Sequence, residues 1–277
     1  MSTTTRPIGA RAATVHPDHT PRRRRAPRGL AYWWSSLAIL AAWWVGSATG
    51  AIDERTLPGP LEVVAAGVEL ARSGELLGAM SASLARVAVG TAVGVAAGVA
   101  TGLLSGYRAL GEIVIDRPVQ MLRAVPFNAL TPLFIIAFGV GEAMKVLLIV
   151  VGVFVPNYLN TFAGVRSVDP KLLEVGRVYQ VPAHLVTRHI LVAGSLPSVL
   201  TGLRFSLAIA WIALVTSETV NAQSGIGYIL AQAQRFVRTD RVVLCIVIYA
   251  LLGLATDWLV RLLERRLLRW RPLVAHS

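Results

Sequence analysis

Residues 84–107 read LARVAVGTAVGVAAGVATGLLSGY. At 1.5 Å per residue an α-helix of this length crosses the roughly 30 Å hydrocarbon core of a bilayer. Glycine recurs at every fourth position, as Gly90, Gly94, Gly98, Gly102 and Gly106, with mostly Ala, Val and Thr between. Four residues turn an α-helix by about 400°, so the glycines form one slowly precessing ridge on which another backbone can lie closely. Two partners fit such a ridge: a neighbouring helix of the same chain, or a second copy across a two-fold axis.

Five further apolar stretches of similar length flank it: Leu30–Thr49, Val119–Val140, Met144–Val165, Val199–Val220 and Val242–Val260. The whole chain of 277 residues is 55% hydrophobic, with a mean hydropathy of +0.60. Isolated segments in lipid must satisfy their own backbone groups, and strands of a barrel would alternate polar with apolar residues. The expectation is therefore an all-α polytopic membrane protein with six transmembrane helices. The third stretch is interrupted by Pro126 and Pro132, with Asn128 between them, which predicts a kink or local unwinding. Trp33, Trp34, Trp43 and Trp44 sit near the two ends of the first stretch, at headgroup level. A signal peptide competes there, since Ser47, Ala48 and Ala51 follow, but twenty apolar residues exceed a typical signal core.

Outside the spans, residues 1–29 are rich in Pro, Arg, Thr and Ala, and read as a disordered basic tail. Residues 30–271 form the six-helix domain, and residues 272–277 a short C-terminal tail. The chain carries 27 Lys+Arg against 15 Asp+Glu. Most of these cations fall in the N-terminal tail, in the second-to-third loop (Arg108, Arg117, Arg123), in the fourth-to-fifth loop (Arg166, Lys171, Arg177, Arg188) and after the sixth span (Arg261, Arg265, Arg266, Arg269, Arg271). Residues 50–83 instead carry Asp53, Glu54, Glu62, Glu69 and Glu75 against Arg55 and Arg72. By the positive-inside rule both termini are cytoplasmic and residues 50–83 face outward. So basic a chain also invites a nucleic-acid reading, but a DNA-binding domain would not carry repeated apolar runs of about 20 residues.

Chemistry in the membrane is poorly provided for. All five histidines (His16, His19, His184, His189, His276) lie in tails or in the fourth-to-fifth loop, so neither a catalytic residue nor a metal site is expected. The single cysteine, Cys245, sits in an apolar run and reads as a small buried hydrophobe. A P-loop needs lysine directly after glycine, whereas the two lysines follow Met144 and Pro170. Within the spans the ionisable groups are read as Arg204, Glu218 and Asp257, with Arg204 and Asp257 near the cytoplasmic side and Glu218 either solvated at the outer interface or lining a path.

Between the fourth and fifth spans, residues 167–197 form a stretch that is neither lipid-like nor a plain linker. Asp169 is an N-cap, Pro170 suits the first helical position, and Leu172, Leu173 and Gly176 are expected on one face of a short helix. Pro182 ends that helix and opens a second, whose Leu185, Val186, His189 and Ile190 are expected to face the membrane domain until Gly194 and Pro197 turn the chain.

At these residues the chain resembles the transmembrane subunits of binding-protein-dependent ABC importers, of the alkanesulfonate/taurine/nitrate type. That family's loop reads E-A-A, three residues, G, nine residues, I-x-L-P, often with a further L-P. Glu174-Val175-Gly176 stands for E-A-A, Gln180 for the glycine, Ile190 for the isoleucine, Val192-Ala193 for the first L-P and Leu196-Pro197 for the second. The spacing is kept while several letters change; at Gln180 a left-handed turn costs more than at glycine. Further similar stretches include Leu57-Pro58-Gly59-Pro60, Arg123-Ala124-Val125-Pro126, Phe138-Gly139-Val140-Gly141, Gly225-Ile226-Gly227-Tyr228 and Leu262-Leu263-Glu264-Arg265-Arg266.

The resemblance implies a type I importer permease of the bacterial inner membrane, working as a homodimer. It implies that ATP and Mg are bound by a separate cytoplasmic ATPase, with no cofactor and no catalysis in this chain, and that an extracytoplasmic solute-binding protein delivers a small anion. Leu172, Leu173, Glu174, Val175, Gly176, Gln180 and Pro182 would form the ATPase-coupling segment. Pro126, Asn128, Pro132, Asn157, Asn160 and Glu218 are candidates for the translocation path, although the two asparagines can equally serve interhelical hydrogen bonds. The rival reading is a non-transporting membrane scaffold whose basic tail and loop recruit a cytoplasmic partner.

Overall fold

The computed structural model describes residues 28–53 and 56–269; of the predicted tail at residues 1–29 all but Arg28 and Gly29, which begin the first helix, lies outside the described residues, as does the tail at 272–277. All regular structure among the described residues is helical. Helix α1, Arg28–Ala48, covers the first predicted span.

From Gly46 onward the chain forms one compact unit. Its helices are α2 Pro60–Arg72, α3 Glu75–Tyr107, α4 Ala109–Ala124 and α5 Phe127–Phe138, α6 Glu142–Arg166, α7 Pro170–Val178, α8 Ala183–Val220, α9 Ile226–Arg235 and α10 Thr239–Leu267. Four of them, α3, α6, α8 and α10, are long and apolar enough to cross a membrane. Large apolar side chains such as Val89, Val93, Ile246, Leu251, Leu254 and Trp258 point away from the protein on α3 and α10. Faces of that extent suit lipid rather than water.

The glycine ridge settles its own partner. A Cβ built on Gly90 would lie 2.6 Å from Ile149, on Gly94 2.8 Å from the Val150 carbonyl, and on Gly98 2.8 Å from that of Phe154. On Gly102 it would lie 2.9 Å from the Tyr158 carbonyl, and on Gly106 2.7 Å from Val165. Both helices advance four residues per contact in the same direction, so α3 and α6 run parallel and backbone to backbone. The ridge is thus consumed within the chain, and the two-fold alternative does not hold for it.

Parallel α3 and α6 require a return crossing between them, which α4 and α5 provide. Of the kink or local unwinding expected within Val119–Val140, the structure shows the unwinding: the chain leaves the helix at Val125 and Pro126 and forms two helices bent 94° to each other. Val125 is extended (φ −83°, ψ 122°) because the proline that follows excludes the helical region, and Pro126 itself (φ −59°, ψ 117°) leaves the helix. Gly139, at φ 73°, then ends α5 where a side chain would be strained.

Antiparallel α8 packs on the other side of α6, with Gly164 against Ser198, Gly202 against Asn160 and Gly152 against Ile209. The core gathers Val87, Ile149, Val153, Ala210, Trp211, Ala213 and Leu214 from α3, α6 and α8. Cys245 on α10 is buried as its sequence context suggested, its thiol 3.8 Å from the Ile226 carbonyl of α9. Pro197, expected to turn the chain, lies inside α8. The close packing of α6 at Gly164 on both Ser195 and Ser198 holds the helix continuous through the proline.

Candidate functional site

Helix α7 begins where expected. The Asp169 side chain accepts a hydrogen bond from the Lys171 backbone N–H at 2.9 Å, and Pro170 occupies the first turn, where its missing N–H costs nothing. Leu173 is half-buried and Gly176 buried, facing Val186 and Ile190 of α8. Leu172, expected beside them, is instead exposed, with Glu174, Val175, Val178 and Tyr179. Val178 and Tyr179 are 78% and 76% exposed, a large apolar display for a nine-residue helix at the end of the bundle. Glu174 pairs with no described residue.

The helix ends in a Schellman turn. The Val181 N–H bonds the Gly176 carbonyl at 2.8 Å and the Gln180 N–H that of Arg177 at 3.0 Å, while Gln180 takes a left-handed φ of 50°. Pro182 follows and opens α8. There Val186 and Leu191 are buried and Leu185 and Ile190 half-buried, but His189 is exposed. The stretch Val186–Val192 is wound as a π-helix, so inward positions recur every five residues and the α-helical spacing that placed His189 inside fails.

The path candidates separate. Pro126, Asn128 and Pro132 are exposed at and beyond the α4–α5 break. Asn157 is fully buried and donates to the Val153 carbonyl at 3.0 Å and to the Ser206 hydroxyl, while Asn160 donates to the Pro156 carbonyl at 2.8 Å. Both asparagines lie in the α6–α8 contact. Glu218 is neither solvated nor on an open surface: its side chain is 0% exposed. It accepts from Arg86 Nη1 at 2.6 Å, from the Ser83 hydroxyl at 2.8 and 2.9 Å, and from the Gly227 N–H at 2.8 Å. Gly225, at φ 118°, and Gly227 wrap this carboxylate so tightly that a Cβ on either would collide with Glu218.

Three charges at this end escaped the sequence reading. Arg86 lies inside the stretch 84–107, only 5% exposed, and also grips Glu142 at 2.6 and 2.7 Å; Lys145, equally buried, reaches Glu142 at 2.8 Å. The signal available was an arginine within an apolar run, opposite a glutamate in another. At the opposite end Arg204 pairs with Asp257 at 2.7 Å, as their placement suggested, and Arg166 with Glu112 at 2.5 Å. Arg123 is displaced from its expected place in a cytoplasmic loop. It stands in the last turn of α4, beside a cavity of about 320 Å³ that reaches Gly152 and Pro156 in the middle of α6.

Comparison with known proteins agrees with this architecture. The family described as binding-protein-dependent transport system inner membrane component matches residues 94–269. The putative aliphatic sulfonates transport permease protein SsuC of Bacillus subtilis is 42% identical over 253 residues, covering 90% of this chain and 92% of that protein. The taurine transport system permease protein TauC of Escherichia coli is 30% identical over 237 residues, covering 84% and 86%. In fold alone, a chain from the crystal structure of an amino acid ABC transporter with histidines superposes with a TM-score of 0.59 at 16% identity, over 72% of this chain and 97% of that one. A matched family region that takes in α6 through α10, on a helical bundle that lipid would solvate, leaves one conclusion: the chain belongs to the binding-protein-dependent transport system inner membrane components, the permeases of ABC importers.

Proposed function

We propose that two copies of this chain form the translocation pathway for an alkanesulfonate or a similar small anion in the bacterial inner membrane. The observation that carries the reading is the 42% identity, across nine tenths of the chain, with a permease named for aliphatic sulfonates. In this reading a separate cytoplasmic ATPase binds Mg and ATP and seats α7 through its exposed Leu172, Glu174, Val175, Val178 and Tyr179. Closure of the paired ATPases then rocks the two halves between inward- and outward-open states, and a solute-binding protein delivers the anion outside. The capped, apolar α7 and the cations near it support a cytoplasmic placement of that end.

The test is reconstitution with the ATPase and binding protein in proteoliposomes. ATP-dependent uptake of ethanesulfonate and hydrolysis stimulated by the loaded binding protein are expected; an ATPase that never co-purifies favours the scaffold. Orientation is checked in a Cys245→Ala background. Ser73→Cys should react with an impermeant thiol reagent outside intact cells and Ser167→Cys should not, and the reverse pattern overturns the topology. Both serines are exposed.

A further inference from the structure

We infer that Arg123 and the cavity beside it recognise the permeating anion at mid-depth, as a site for a sulfonate carrying an apolar tail; this rests on the sulfonate reading above. The cavity holds about 320 Å³, within the range of small-molecule sites. Its lining includes Val125, Phe127, Leu130, Val151, Val155 and Ile209, with Arg123 as its charged member and no carboxylate.

Depth is what makes the arginine informative. The cavity is lined on α6 from Val151 to Leu159, so it lies about 10 Å or more from either end of that helix at 1.5 Å per residue. The neighbouring contacts of α4 keep the same order along α6: Glu112 meets Arg166 and Asp116 meets Tyr158, placing Arg123 further in. Among the described residues Arg123 has no carboxylate partner, unlike Arg86, Arg166 and Arg204, each of which is paired. An unpaired guanidinium at that depth is costly against hydrocarbon, and is stabilised where water or an anion meets it.

The chemistry selects the anion. A sulfonate stays charged at any physiological pH, and its oxygens can accept from the planar N–H fork of a guanidinium. An alkyl tail beyond it would meet the apolar wall. An ammonium on that tail would find no counter-charge in the lining, and nitrate has no tail to fill the space. The broken helix supplies the geometry: the 94° bend at Val125 and Pro126 opens the cavity directly beside the arginine.

The experiment measures butanesulfonate uptake in proteoliposomes holding the permease, its ATPase and its binding protein. If the parent complex takes up no sulfonate, the substrate reading itself fails. Given parental uptake, Arg123→Gln should lower the rate at least about tenfold while dimer size and co-purification with the ATPase persist, and Arg123→Lys, which keeps the charge but loses the fork, should fall between Arg123→Gln and the parent. Parental uptake by Arg123→Gln overturns the site. If Arg123→Gln does not assemble, Val155→Phe decides: filling the cavity should abolish butanesulfonate uptake and spare methanesulfonate, and an equal effect on both overturns the inference.

Discussion

Arg86 Nη1 and Glu218 Oε1, 132 positions apart in sequence, meet at 2.6 Å with almost no solvent contact. Arg86 uses all five of its N–H donors: two to Glu142, one to Glu218, and one each to the carbonyl and hydroxyl of Ser224. Ser83 closes the other side of the Glu218 carboxylate and accepts from the Ile226 N–H at 2.9 Å. One guanidinium thereby ties α3, α6, the end of α8 and the loop into α9.

Arg86→Met should therefore be among the most harmful single changes. It leaves the Glu218 charge buried beside two hydrogen-bond donors and no cation, and breaking such a pair typically costs about 3–5 kcal/mol. The double variant Arg86→Met with Glu218→Met removes both charges and should recover much of the loss. Thermal unfolding in detergent, followed by size-exclusion profile, reads the difference. A single variant as stable as the parent would show that the network holds nothing together.

The ridge gives a contrast within one helix. Gly98→Ala puts a methyl group 2.8 Å from the Phe154 carbonyl oxygen and from Asn157 Cβ, an overpacking that usually costs about 1–3 kcal/mol. Gly98→Leu should block assembly. Gly78, on the same helix, has nothing within 4 Å of its would-be Cβ, so Gly78→Ala should be neutral or stabilise by up to about 1 kcal/mol. Equal melting temperatures for Gly98→Ala and Gly78→Ala would contradict the backbone contact.

At the end of α7, Gln180→Gly should tighten the turn. A left-handed residue with a side chain costs about 1–2 kcal/mol relative to one without, and Gln180 sits at φ 50°. Hydrogen exchange at the Tyr179 and Val181 amides, both held in that turn, should slow by roughly fivefold to thirtyfold. Gln180→Val should speed it. Unchanged exchange in both variants would mean the turn is not what limits opening.

What the sequence disclosed follows from range. The spans that became α3, α6, α8 and α10, the ridge and the Asp169 cap are local signals, and the structure keeps them. The break at Pro126 was legible as an interruption, but not as a bend of 94°, because its angle depends on α4 packing beside Tyr158 and α5 beside Gly152. His189 was misplaced because π-winding over Val186–Val192 changes the period without any residue announcing it. Arg86 was missed because hydropathy averages over a window, while its burial is compensated by carboxylates 56 and 132 positions away, and buried Lys145 is paired with the exposed Glu142 that the same arginine grips. Arg123 read as a loop cation for the same reason: its depth is set by the helix it lies against.

Glu174 is the sharpest test of how α7 works. It is exposed on the outer face of the helix and bonds to no described residue, so its value to the isolated permease is limited to the helix dipole, about 0.3–1 kcal/mol. Glu174→Arg should then leave insertion, dimerisation and melting temperature nearly unchanged. If an ATPase seats α7 with a cation near Glu174, the same substitution puts like charges in contact inside an interface, which can cost several kcal/mol. Transport should be lost, and the ATPase should no longer co-purify. A charge-reversed partner in the ATPase groove should restore both, an outcome that helix destabilisation does not produce. Retained ATPase binding with solute-stimulated hydrolysis in Glu174→Arg would show that the contact runs through the neighbouring Val175, Val178 and Tyr179 alone.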